Sequence, residues 1–86
     1  DLRAPDIKFS HKSPWSLIFK ISDEDSGIEN YTLNIDGEWR KIYYDEKSNT
    51  LMYKILDSDR GKTGMMKLEV EDKVGNKNFI TKEIFF

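Results

Sequence analysis

The chain carries one histidine, His11, and no cysteine. A Ser–His nucleophile needs an imidazole oriented by a third group in a site shielded from water. His11 reads as a loop residue ahead of Pro14, with no such group beside it in sequence. Thiolate zinc knuckles and disulfide frameworks are excluded by composition. Carboxylates are abundant, 16 Asp and Glu in 86 residues, but glycosidase chemistry needs two of them across a cleft, which a thin domain of this length seldom has. The expectation is a chain with no catalytic residues of its own.

Two other groupings have types and spacing suited to binding. The first is acidic. Asp23, Glu24 and Asp25 form a loop between two strand patterns, and Asp72 and Asn76 flank a later turn. In a seven-strand sandwich these two loops lie at the same end. Asp23, Asp25, Asp72 and Asn76 are therefore a candidate set of hard oxygen ligands for Ca²⁺, the site of a Ca²⁺-dependent adhesion-type module. The alternative is turn chemistry: Asp and Asn bond their own backbone N–H groups, and Lys73 and Lys77 offset the charge. Apart from this Ca²⁺ reading, no cofactor is expected.

The second grouping is aromatic: Trp39, Tyr43 and Tyr44. Its facing depends on one turn. If Asp36-Gly37 is a two-residue loop, Ile35 pairs with Glu38 and Leu33 with Arg40, and Trp39, Lys41 and Tyr43 point away from the core on the face of Asn30, Thr32 and Asn34. If the loop also takes in Ile35, Leu33 pairs with Trp39 and the indole joins the core. A slip of one residue inverts every side chain. An outward strip is a platform for sugars or a protein partner. The other use of these rings is to cover the sheet or pack on a neighbouring domain.

The elements that must position these residues are strands. Trp15, Leu17, Phe19 and Ile21 alternate with polar or edge positions, as do Tyr31, Leu33 and Ile35, then Leu51, Tyr53 and Ile55, then Met66, Leu68 and Val70. A short strand around Ile7 to Phe9 precedes them, and the run from Asn78 to Phe86 closes the chain with ambiguous facing. No segment reads as a long helix: 45–49 and 57–64 are too short and too rich in turn formers, leaving room for a single helical turn at most. Asp36-Gly37 and Gly75-Asn76 read as tight hairpin turns. Pro14, lacking an N–H, suits a strand start or edge. About seven strands at roughly 8–12-residue spacing predict an all-β sandwich of antiparallel strands.

Composition bounds the rest. At 10.2 kDa there is room for a single domain. A net charge of −2 leaves no electrostatic footprint for nucleic acid. No apolar run approaches the ~20 residues of a membrane span. With a thin core and no disulfide, the two Trp, four Tyr and five Phe must supply much of the stability. The start at Asp1, without initiator Met or signal peptide, reads as a piece of a longer protein.

Several spacings then combine: Ile21-Ser-Asp-Glu-Asp-Ser-Gly-Ile28, Ile35-Asp-Gly-Glu-Trp39, Tyr44-Asp45, Asn49-Thr-Leu51-x-Tyr53, the run from Met66 to Asn76, and the terminal Phe85-Phe86. From about Ile7 to Phe86 the chain resembles the immunoglobulin-like (or fibronectin-III-like) β-sandwich modules of exported bacterial proteins. It is most similar to the module that follows the catalytic domain in Bacteroidetes cell-wall metallopeptidases of the lysostaphin/LytM class. The Asp72-x-x-Gly75-Asn76 signature is shared by many such modules; the Asp-Ser-Gly-Ile and Ile-Asp-Gly-x-Trp pair is more specific. The resemblance implies a periplasmic or cell-surface location and a non-catalytic accessory role. The implied partners are a neighbouring domain of the same chain and a cell-wall glycan or protein. The zinc ligands of that family lie in its peptidase domain, and no His-x-His pattern occurs here. The antibody-type Cys pair and packed Trp are missing, and Met65-Met66 replaces the β-branched residues such a strand usually has.

Overall fold

Among the described residues, alternating apolar residues build eight antiparallel strands: β1 (Asp6–Lys12), β2 (Ser16–Ser22), β3 (Ile28–Ile35), β4 (Glu38–Arg40), β5 (Tyr43–Asp45), β6 (Thr50–Lys54), β7 (Thr63–Asp72) and β8 (Lys77–Phe85). The computed structural model describes residues 5–22 and 27–86. Two four-stranded sheets form, in the orders β1-β2-β6-β5 and β4-β3-β7-β8. No helix occurs among the described residues. This is the all-β, two-sheet arrangement that the strand pattern predicts.

The core lies between the sheets. Leu17, Phe19 and Ile21 of β2 and Leu51 and Tyr53 of β6 face Leu33 and Ile35 of β3, Met66, Leu68 and Val70 of β7, and Ile84 of β8. Each such side chain, fully buried, contributes roughly 1.5–3 kcal/mol. Edge-to-face ring pairs brace it, Phe9 with Phe19 at 5.7 Å and Tyr53 with Phe86 at 6.3 Å between centroids. The run from Asn78 to Phe86 resolves its facing: Ile80, Ile84 and Phe86 turn toward the core, while Phe79 and Phe85 are exposed.

Three expectations are corrected. Trp15 does not continue the inward row of β2 and is 67% exposed. The Ser13 hydroxyl accepts from the N–H groups of Trp15 and Ser16, so the strand begins only after this turn. His11 is not a loop residue; β1 runs past it, opposite Ile18, beyond an irregularity between Phe9 and His11. The strand count rises to eight because the segment after Asp36-Gly37 divides. β4 pairs with β3, Ile42 is buried between the sheets, and β5 pairs with β6 in the other sheet.

The β3–β4 turn takes the two-residue form. Ile35 pairs with Glu38, Asn34 with Trp39 and Leu33 with Arg40. Asp36 and Gly37 have φ of 50° and 83°, the left-handed pair that a type I′ turn requires. Asp36 is also tied to β7: its N–H donates to the Met65 carbonyl at 2.8 Å, and its Oδ1 accepts from the Met65 N–H at 2.9 Å. At the outer edge of β8, Lys82 reaches across to place its ammonium 4.7 Å from the Phe9 ring centroid. A charge turned inward on an edge strand hinders further strand addition there.

A Cβ at residue 37 meets no atom within 4 Å, so Gly37→Ala isolates the backbone requirement of the turn. The left-handed conformation disfavours Ala by about 1–2 kcal/mol. Urea denaturation should show that loss with an unchanged m-value; full wild-type stability would contradict the register described here.

Candidate functional site

Three polar groups with altered ionisation, Arg40, Tyr53 and Asp59, sit where β4 and β6 meet the β6–β7 connection. Arg40 pairs opposite Leu33 and so turns inward. Its Nε and Nη2 donate to Asp59 Oδ2 and Oδ1 at 2.9 and 3.0 Å. The Tyr53 hydroxyl, on the opposing sheet, donates to the same Oδ2. Asp59 is presented by a turn in which its N–H and that of Arg60 donate to the Leu56 carbonyl. The Arg40 hydrogen bonds hold the Asp59 carboxyl below its usual range, against the opposing effect of burial. The guanidinium is raised in turn by those bonds. The Tyr53 hydroxyl is pushed up by burial first and by the carboxylate beside it second. Strongly perturbed groups mark functional sites in many proteins, but Tyr53 and Asp59 are buried and every atom described is engaged within the fold. The cluster is a polar pin between the sheets.

Around the pin, the outward neighbours of the same residues form the surface feature that suits ligand binding. Trp39, Arg40, Lys41, Tyr43, Tyr53, Lys54 and Leu56 line a cleft of about 380 Å³. Trp39 is 64% exposed and Tyr43 43%. The Lys41 and Lys54 ammonium groups stand 5.3 and 5.0 Å from the Tyr43 ring centroid. The ion pairs found among the described residues are Arg40–Glu38, Arg40–Asp59 and Arg60–Asp57; neither cleft lysine belongs to one. Trp15 lies beside this end: its carbonyl accepts from Ile55 N–H, and the Arg60 guanidinium covers its ring at 4.8 Å.

The three aromatic residues singled out in the sequence therefore separate. Trp39 and Tyr43 share the cleft, although they belong to different sheets. Tyr44 points the other way, half-buried against the core, with its ring 5.7 Å from that of Tyr31 across the sheet gap. It borders a second, smaller hollow of about 180 Å³ with Ile18, Tyr43, Asp45, Thr50 and Met52. The two-residue register already set Lys41 on the outward strip with Trp39 and Tyr43, whereas Lys54, Asp59 and the ion pair of Arg40 were not among the features the sequence pointed to. The available signal was the two-residue register, which turns Arg40 inward and so demands a buried partner for its charge.

The oxygen-rich grouping is seen only in part, because Asp23 and Asp25 lie outside the described residues. Gly27, which follows them, does meet the β7–β8 turn: Lys73 N–H donates to its carbonyl at 3.3 Å. Asp72 is 1% exposed. Its Oδ1 accepts from the N–H groups of Val74 and Asn76 at 3.0 and 2.8 Å, and its Oδ2 from the Asn76 amide at 3.1 Å. Burial disfavours the charge, yet these donors outweigh it and leave the carboxyl below its usual range. Gly75, at φ 91°, completes the turn. Asp72, Gly75 and Asn76 thus form one hydrogen-bonded hairpin loop. Among the described residues no three His, Asp or Glu side chains converge in a way that would hold a metal ion.

No family model matches the chain, and neither the curated proteins nor the solved structures include a match to it.

Removing Arg40 leaves a buried carboxylate without its partner, so Arg40→Met should destabilise the fold by about 3 kcal/mol. Tyr53→Phe, which removes one bond to that carboxylate, should cost about 1–2 kcal/mol by the same urea measurement. The acid limb follows from the lowered folded pKa of Asp59. Its contribution is complete above the ordinary value of 3.8. It declines as the pH falls below that value and is lost once the pH passes below the folded one. Asp59→Asn should flatten the fall of stability with acid in this window, although Asp72 keeps a share of the slope.

Proposed function

We propose that the chain is a non-catalytic accessory module of an exported bacterial protein, of immunoglobulin-like topology, that supports a cell-wall peptidase domain. The topology is supported by strand order. Lettered along the chain with β4 as an added C′ strand, the sheets read A-B-E-D and C′-C-F-G, the arrangement of immunoglobulin-type sandwiches. The observation that carries the binding role is the exposure of Trp39 and Tyr43 beside two lysines outside any described ion pair. These side chains are suited to holding a partner; the altered carboxyls, Asp59 and Asp72, are committed to the fold. The extracytoplasmic setting and the peptidase partner rest on the sequence resemblance.

One feature favours a second reading, a carbohydrate-binding module on the same residues. The Trp39–Tyr43 surface is a cleft rather than a flat patch, and its volume falls within the roughly 300–1,000 Å³ usual for small-ligand sites. Aromatic faces bordering such a cleft suit the apolar faces of sugar rings.

Quenching of Trp39 separates the two readings. In a Trp15→Phe background Trp39 is the remaining indole, since the chain has two. A domain partner predicts that acrylamide quenching falls when the module is joined to a peptidase domain and is unchanged by glycan. A glycan partner predicts that it falls on adding solubilised cell-wall saccharide to the module alone. Indole accessibility unchanged in both settings would overturn both readings of this surface.

A further inference from the structure

Resting on the carbohydrate reading of the Trp39–Tyr43 cleft, we propose that its ligand is an anionic saccharide, a sugar chain bearing carboxylate groups. Lys41 and Lys54 approach the cleft from different elements, the β4–β5 crossing and the end of β6. Their ammonium groups converge on the same ring, at 5.3 and 5.0 Å from the Tyr43 centroid. Two like charges brought to one aromatic ring repel each other, and an exposed cation–π contact offsets only part of this.

The acids near this end are already engaged. Asp59 is held by Arg40, Glu38 also pairs with Arg40, and Asp57 pairs with Arg60. The charge placed at the cleft is thus positive although the chain as a whole has a net charge of −2. A carboxylate of the ligand is the complement that both lysines lack among the described residues. Trp39 and Leu56, apolar and exposed on the same cleft, offer contact for the ring that carries it. A neutral glycan would use the aromatic surface and leave the two charges uncompensated. An acidic protein segment shares the charge but gains less from the indole face, and the test includes it.

Binding is read by Trp39 fluorescence in the Trp15→Phe background with three probes: hyaluronan tetrasaccharide (carboxylated), chitotetraose (neutral) and a short polyglutamate. Hyaluronan should bind at least about tenfold more tightly than chitotetraose, and the preference should shrink as salt is raised to about 0.5 M. Lys41→Gln combined with Lys54→Gln should abolish the preference without moving Tm appreciably. Lys41→Arg combined with Lys54→Arg should retain it, so that loss in the Gln pair reports charge. Equal binding of hyaluronan and chitotetraose, unaffected by the Gln pair, would overturn the anionic assignment while leaving the carbohydrate reading intact. Polyglutamate binding as tightly as hyaluronan would overturn the saccharide assignment in favour of an acidic protein segment. No binding of any probe would overturn the inference together with the carbohydrate reading beneath it.

Discussion

The structure depends on the Asp59 carboxylate, caught between a guanidinium from one sheet and a phenol from the other. Domains of this size bury too little surface to be stable by a wide margin, and this chain has no cysteine with which to cross-link its sheets. The Arg40–Asp59–Tyr53 contact does part of that work by other means. It binds β4 to β6 through the connection that leads into β7. A buried ion pair adds little net stability over an apolar replacement, and losing one partner is heavily penalised. The pin therefore acts mainly by exclusion: arrangements that separate Arg40 from Asp59 leave a charge buried alone. Any shift of β4 relative to β6 carries that penalty.

The same constraint shapes the surface. Arg40 stands between Trp39 and Lys41, and Tyr53 immediately precedes Lys54. In extended chain, neighbours point to opposite sides. Fixing Arg40 and Tyr53 inward thus fixes Trp39, Lys41 and Lys54 outward. Much of the cleft is thus the outer side of the pin. Tyr43 follows by the same rule from buried Ile42, where the chain passes from one sheet to the other.

Much of the framework was legible because period two reports directly on which side of a half-buried strand faces the core. Leu17, Phe19, Ile21, Leu33, Ile35, Leu51, Tyr53, Met66, Leu68 and Val70 are all buried as their alternation predicts, and Asp36-Gly37 adopts the turn its residue types demand. Trp15 broke the pattern because the Ser13 turn ends the strand just short of it. Alternation alone could not show the division of the aromatic strip. From Trp39 to Tyr44 the outward and inward positions continue without a break, so parity is preserved while the sheet changes. The pin was illegible for a different reason: Arg40 and Asp59 lie 19 positions apart and Tyr53 and Asp59 six apart, with no periodicity relating them.

The exposed tryptophans complete the energetic picture. In a thin core an indole is among the largest sources of burial available, worth several kcal/mol if enclosed, yet Trp15 and Trp39 are 67% and 64% exposed. Neither could be turned inward alone. Inverting Trp39 would turn Arg40 out and strand Asp59, and Trp15 precedes the strand behind the Ser13 turn. Both indoles flank the Ile55–Leu56 stretch at one end, where Arg60 covers one ring and lysines border the other. The contact that closes the sandwich is thus the one that keeps Trp39 in solvent. Apolar area that the fold cannot recover for its own core remains available for contact with another molecule.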